Sequence, residues 1–282
     1  MDQDSSYTSS MYLGVDVGGT KTLLAVLSNE GEVIERLKFP TPQDYSEFIG
    51  KLQATFAQLE HQEFIAACVA IPGRLDRLKG LALQLGNLPW SNAPVRDDLS
   101  AALGLPVSIE NDANLAGLSE AMLHKDVAKV LYLTVSTGIG GGVVYNQMLE
   151  PFLIDSEPGH ILIEYNGVPT KWERFASGKV LYDTYQRKAM DIGPEETAIW
   201  KEVAHKLVLG FFANMALLQP DMIIIGGSIG TYFDRYSSYL IEELSSLASD
   251  LVPLPKIVQA GRPEEAVVYG CYDLAKQLHG QA

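Results

Sequence analysis

The sequence predicts an α/β fold made of two similar halves, each opening on a β-meander. Three observations lead there. Apolar runs of strand length alternate with amphipathic stretches of helix length. Two glycine-rich turns, around Gly18, Gly19 and Thr20 and around Thr137 and Gly138, each lie between two such runs, as hairpins do. A chain of 282 residues that is 47% hydrophobic also suffices for two cores, and a cleft between two domains is the usual ligand position.

The first half reads as strands at 11–17, 22–27 and 32–38, an amphipathic helix at 43–60 and a strand at 64–70. A helix at 95–103 leads to a strand at 106–110, and the next helix starts just after Glu110. The second half reads as strands at 129–135 and 141–145, with helices near 177–189 and 195–218. In the latter, Ile199, Val203, Leu207, Phe211 and Met215 recur at helical spacing and Pro220 marks the end. A strand at 222–226, a helix at 231–249 and a last helix near 264–278 complete the order.

Glycine permits positive φ and lets backbone N–H groups approach a phosphate with no Cβ in the way. Thr20 and Thr137 add hydroxyl donors. Asp16 sits inside the first turn, where it would repel a triphosphate unless a divalent cation stood between them. The combination points to a magnesium nucleotide. The Walker spacing G-x-x-x-x-G-K-[ST] and the dinucleotide spacing G-x-G-x-x-G are both absent. One such turn could equally be an ordinary glycine hairpin; two together resist that explanation.

Composition fits a soluble cytoplasmic enzyme. No apolar stretch reaches membrane-spanning length, and the opening MDQDSSYTSS is polar and acidic, unlike a signal peptide. Cys68 and Cys271, in apolar surroundings, read as reduced core thiols. A net charge of −14, from 35 acidic and 21 basic side chains with no basic stripe, argues against nucleic acid as a partner. No membrane partner is expected either.

Eight segments recur in a familiar order: LGVDVGGTKTLLAVL (13–27), AIPGRLD (70–76), GNLPW (86–90), LPVSIENDANLAGLSEA (105–121), LTVSTGIGGGVV (133–144), EPGH (157–160), WERFASG (172–178) and PDMIIIGGSIG (220–230). From Leu13 to Ala275 the chain resembles the sugar kinases of the ROK group, within the actin-like, hexokinase-like ATPase superfamily. The resemblance implies two ribonuclease-H-like domains with a cleft between them, 1–112 completed by a C-terminal helix in 264–282, and 113–263. It also implies ATP with Mg²⁺, a small-molecule sugar as acceptor and a homodimer. Relatives that act as repressors carry a winged helix-turn-helix before the first phosphate loop, for which the short tail before Leu13 leaves no room.

Residue roles follow from the same resemblance. Gly18, Gly19, Thr20 and Lys21 with Thr137 and Gly138 would hold phosphates, and Asp16 would hold Mg²⁺ through water. Gly226 and Gly227 would lie against the adenosine; read alone, they are also an ordinary strand-to-helix turn. Gly73 is a bend between strands or backbone beside the sugar. By spacing alone, Asn111 or Asp112 reads best as a helix cap. The resemblance of ENDAN to the family's catalytic motif instead makes Asp112 the base for the sugar hydroxyl and Asn111 a sugar ligand, and the helix N-terminus would favour the carboxylate. Glu157, His160 and Glu173 would bond sugar hydroxyl groups, although 155–173 reads on its own as a polar, solvated loop.

One departure stands out. Many relatives carry a cysteine-rich zinc segment after the histidine; here 166–173 reads NGVPTKWE, without cysteine. No zinc is expected, and packing by Trp172 and Phe175 would replace it. Asp155 and Ser156, where relatives are glycine-rich, reshape the edge of the pocket. The reading is an ATP-dependent kinase acting on a hexose, glucose at its 6-hydroxyl first, with other hexoses and N-acetylhexosamines behind it. A non-catalytic sugar-sensing relative is the alternative of another class, and polyphosphate-dependent phosphorylation a second enzyme alternative.

Overall fold

The computed structural model describes residues 11–262 and 265–280; the polar opening MDQDSSYTSS lies outside the described residues. The chain divides into two compact units, Met1–Ala116 with Glu265–Ala282 and Gly117–Glu264.

In the first unit, β1 (Met11–Val17) is buried on both faces. Its two-residue period sends Leu13, Val15 and Val17 to one side and Tyr12, Gly14 and Asp16 to the other. β2 (Lys21–Leu27) pairs antiparallel with β1, and β3 (Val33–Pro40) with β2. α1 (Tyr45–Phe56) starts where the Asp44 carboxylate accepts the Glu47 N–H at 2.9 Å. β4 (Phe64–Ile71) then runs parallel to β1. A small antiparallel sheet of β5 (Arg74–Asp76), β6 (Leu81–Gln84) and β7 (Ser91–Ala93) follows, then α2 (Val95–Leu103) and β8 (Val107–Asn111), parallel to β4. α3 (Asp112–Ala121) begins directly at the end of β8. The main sheet has the order β3-β2-β1-β4-β8. Phe48 and Leu52 of α1, Trp90, and Leu99 of α2 bury one face, with Trp90 and Phe48 rings 4.5 Å apart.

The second unit repeats this order. β9 (Lys129–Val135), β10 (Ile139–Tyr145) and β11 (Met148–Leu149) form the antiparallel meander. A hairpin of β12 (Leu162–Tyr165) and β13 (Val168–Lys171) precedes α4 (Glu173–Ala176), α5 (Gly178–Tyr185) and α6 (Thr197–Leu218). β14 (Met222–Gly226) runs into the short α7 (Gly227–Gly230), then α8 (Ser237–Leu247) and β15 (Lys256–Gln259). The sheet order is β11-β10-β9-β14-β15, with the last three strands parallel. Leu131, Leu133, Val135, Ile223 and Ile225 are covered by Val203, Leu207, Phe211 and Met215 of α6 and by Leu240 and Leu244 of α8. Each sheet is therefore a three-stranded meander followed by two parallel strands, the ribonuclease-H-like arrangement.

α9 (Ala266–His279) belongs to the first unit, where Val268, Cys271, Tyr272 and Ala275 cover Tyr12, Cys68 and Ala70. Residues 263 and 264, where the last helix was expected to begin, are outside the described residues. Among the described residues no helix is long and apolar enough to cross a membrane.

Several elements depart from expectation. The strands β5–β7 and β15 and the hairpin β12–β13 are additions. The helix expected at 177–189 stops at Tyr185, and the one expected at 231–249 begins only at Ser237. The reason lies in 233–236, where Phe233 and Tyr236 anchor a 3-10 turn in the core and Arg235 donates to the Ile192 carbonyl while lying 4.3 Å over the Tyr232 ring.

Candidate active site

In the first unit, the β1–β2 hairpin closes on Gly18, Gly19 and Thr20, with the Gly18 N–H donating to the Lys21 carbonyl at 3.0 Å. Neither glycine has positive φ, contrary to the conformational reason expected for them. Crowding requires them instead. A Cβ on Gly18 would stand 2.8 Å from the Lys21 carbonyl oxygen, and one on Gly19 2.7 Å from Cβ of Asn87 in the GNLPW segment. Thr20 and Lys21 are exposed at the tip.

Asp16 precedes this loop on the α9 side of β1 and is half-buried. Burial, then the like charge of Asp112, pushes its carboxyl up to about 6, with Lys38 working the other way. Burial also raises Asp112, against the hydrogen bonds its carboxylate accepts from its own and the Ala113 N–H groups. Two carboxylates under this strain form a setting that a divalent cation relieves. Among the described residues no group of three or more His, Cys, Asp or Glu side chains could hold a metal ion. Mg²⁺ suits such a place, because it is commonly held by one or two carboxylates, waters and substrate phosphates rather than a protein cage.

The ENDAN segment divides its labour. Asn111 caps α3: its Oδ1 accepts the Ala113 N–H at 2.9 Å and the Asn114 N–H at 3.3 Å, while its Nδ2 donates to the Gly73 carbonyl at 3.2 Å. Gly73 holds φ +96°, and a Cβ there would collide with the Gln84 carbonyl oxygen, so this turn does need glycine. Asp112 is thereby not the principal cap, although its Oδ1 also accepts the Ala113 N–H at 2.9 Å. Glu110, nearly fully buried, accepts from the Asn111 N–H at 2.7 Å and from Asn114 Nδ2 at 2.9 Å. Its charge is met by Arg77, which donates through Nε at 2.6 Å and through a second guanidinium nitrogen. Reasoning from sequence missed Arg77 and Glu110; the pairing joins the residue just after the AIPGRLD segment to ENDAN across 33 positions, with no local signal.

In the second unit, Ser136, Thr137 and Gly138 connect β9 to β10. Ser136 joins this loop to the turn after β14: its hydroxyl accepts the Ser228 N–H at 2.9 Å, and its carbonyl accepts the Gly178 N–H at 2.6 Å. Gly226 ends β14 against Tyr132, and Gly227 has φ +80°, with a Cβ position 2.6 Å from the Val135 carbonyl. Thr137, Gly138, Gly226 and Gly227 are therefore assembled at one end of this sheet. Gly138 again lacks positive φ; its Cβ would stand 2.8 Å from Oε2 of Glu173.

Glu173, the first residue of α4, also lies 3.5 Å from Nε2 of His160. His160 closes a 3-10 turn, Pro158–His160, that starts at the exposed Glu157 and is held on β10, since a Cβ on Gly159 would strike the Ile139 carbonyl. His160 and Glu173 are thus brought together beside the second loop. Within 155–173, which reads on its own as a solvated loop, β12 and β13 form a β-hairpin. Asn166 and Gly167, both at positive φ, form its two-residue turn. Trp172 is fully buried, donates from Nε1 to the Lys206 carbonyl at 3.2 Å and packs on Gly210, while Phe175 stacks on Tyr165 at 4.2 Å.

The family described as ROK matches residues 12–278. The chain belongs to the ROK family. This ROK protein is 24% identical over 316 residues to a glucokinase of Streptomyces coelicolor, covering 94% of this chain and 97% of the relative. It is 28% identical over 288 residues to an N-acetyl-D-glucosamine kinase of Salmonella heidelberg, covering 89% and 94%. Its fold matches the crystal structure of a ROK glucokinase from Streptomyces griseus in complex with glucose and AMPPNP, with a TM-score of 0.78 at 24% identity over 95% of this chain and 100% of the other. The α/β fold of the ROK protein is accordingly that of the actin-like ATPases.

Proposed function

We propose that the protein is an ATP-dependent sugar kinase that transfers the γ-phosphoryl group to a hexose hydroxyl, with the 6-hydroxyl of glucose as first acceptor. The observation that carries this is the division of roles within ENDAN. Asn111 caps the helix and ties down Gly73, which leaves Asp112 a carboxylate of raised pKa at a helix start, suited to take a proton.

In this reading Asp112 accepts the proton of the attacking hydroxyl, and Asn111, Gly73, Glu157, His160 and Glu173 orient the sugar. The His160 and Glu173 pair supplies a donor and an acceptor side by side, which fits adjacent hydroxyl groups. Gly18, Gly19, Thr20, Lys21, Thr137 and Gly138 hold the phosphates, and Gly226 and Gly227 lie against the adenosine. Asp16 would hold Mg²⁺, through water. When bound, Mg²⁺ offsets charge on the phosphates. No zinc is part of this reading, since Trp172 and Phe175 anchor the hairpin that stands where relatives carry cysteines. A cytoplasmic homodimer, free of nucleic acid and membrane, completes it.

The glucokinase and N-acetylglucosamine kinase among its relatives define the panel that tests the proposal. Purified protein with ATP and Mg²⁺ is assayed for ADP release against glucose, mannose, fructose, allose, N-acetylglucosamine and N-acetylmannosamine, and the product's phosphate position is read by phosphorus NMR. A hexose 6-phosphate is expected. No sugar-dependent ADP release from folded protein would support the sugar-sensing alternative.

A further inference from the structure

We propose that Thr41 is a positioning residue for the nucleotide, setting the β1–β2 loop so that its N–H groups are presented to phosphate; this rests on the kinase reading above. Thr41 follows β3 directly and is buried. Its hydroxyl donates to the Gly18 carbonyl at 2.8 Å, and its N–H donates to the Thr20 carbonyl at 3.0 Å. The fully buried Thr22 lies with its hydroxyl 2.9 Å from that of Thr41. With the Thr41 proton committed to Gly18, Thr22 is the donor of that pair.

One residue thus draws two carbonyls of a short loop inward. A trans peptide points its C=O and N–H in opposite directions. Fixing the Gly18 carbonyl on Thr41 therefore turns the Gly19 N–H away from Thr41. Neither the Gly19 nor the Thr20 N–H makes a hydrogen bond among the described residues. Asn87 packs closely against Gly19, a further constraint on the loop. Both N–H groups sit at the centre of the turn, open to an incoming acceptor, and Thr41 fixes the peptide plane that carries the Gly19 N–H.

The test measures AMPPNP affinity with Mg²⁺ by calorimetry, and the KM values for ATP and sugar, in wild type, Thr41→Val and Thr41→Ser. Valine keeps the shape and removes the hydroxyl. It is expected to weaken AMPPNP and raise the ATP KM about tenfold, the scale of one or two neutral hydrogen bonds, with the sugar KM within about twofold. Serine, which keeps the hydroxyl, is expected to stay within about threefold of wild type for AMPPNP. Valine binding AMPPNP as wild type does, or serine as weak as valine, overturns the proposal. Should Thr41→Val fail to fold, Thr22→Val decides: weakening of about threefold supports the relay, and unchanged affinity overturns it. Wild type that binds no AMPPNP overturns the kinase reading, and this inference with it; wild type that binds while the variants match it overturns this inference alone.

Discussion

The charge of Asp112, at the start of α3, adds to burial in holding the carboxyl of Asp16, at the end of β1, up to about 6. This follows from the sheet order: β4 runs parallel between β1 and β8, so the ends of β1 and β8 lie at the same edge of the sheet.

The sign of the resulting pH dependence is fixed. Asp16 has an ordinary value of 3.8 and a folded value of about 6, so the folded chain holds its proton over that interval and the unfolded chain releases it. Its contribution to stability is present below pH 3.8, falls as pH rises through that interval and stays lost above it. Without Mg²⁺ or nucleotide, Asp16→Asn should therefore melt higher than wild type at pH 7.5 and level with it at the acid end. Activity should nevertheless collapse. Thermal denaturation at both pH values checks this; a lower melting temperature at pH 7.5 would show that the Asp16 charge is welcome in the unliganded fold.

Asn111 and Asp112 should separate in mutagenesis. Asn111→Ala removes the cap and the bond to Gly73, with an expected loss of about 1 kcal/mol or somewhat more from stability. Asp112→Asn should unfold at the same denaturant concentration as wild type or slightly higher, because the cap remains. Urea titration of both variants distinguishes them, and marked destabilisation of Asp112→Asn would return the residue to a capping role.

Removing Arg77 leaves the Glu110 carboxylate buried without its cation. Arg77→Met should cost roughly 3 kcal/mol, at the lower end of the range for orphaning a buried charge. Arg77→Met with Glu110→Gln should recover much of that, since the second change removes the charge left behind. Equal stability of Arg77→Met and wild type in urea would show the pair to be idle.

In the second unit, Glu173→Gln keeps the size of the side chain and removes its charge beside His160. The sugar KM should rise about tenfold or more while the ATP KM moves less than about twofold. Initial rates with each substrate varied in turn measure both. A change confined to the ATP KM would reassign Glu173, which also touches Gly138, to the phosphates.

Much of this was legible in the sequence where signals are local. The meanders, the long helix α6 and the ENDAN junction follow from apolar periodicity and from runs of Gly, Asn and Asp. The three-residue strands Arg74–Asp76 and Ser91–Ala93 are too short to show a period. The hairpin β12–β13 was announced by Asn166 and Gly167, a two-residue turn signal that reading 155–173 as polar loop passes over. Positive φ, one of the two reasons for reading glycine in the hairpin turns, is not used at Gly18, Gly19 or Gly138, which are crowded instead by Lys21, Asn87 and Glu173, two of them distant in sequence. The Arg77 and Glu110 pair, and the hold of Thr41 on Gly18, join residues 33 and 23 positions apart, beyond the reach of a local pattern.

The most direct test of the central claim compares wild type with Asp112→Asn on the sugar that gives the highest ADP release. The account predicts a fall in kcat of about two decades or more, with AMPPNP affinity within about twofold and the fold intact. Turnover by Asp112→Asn close to that of wild type would contradict it.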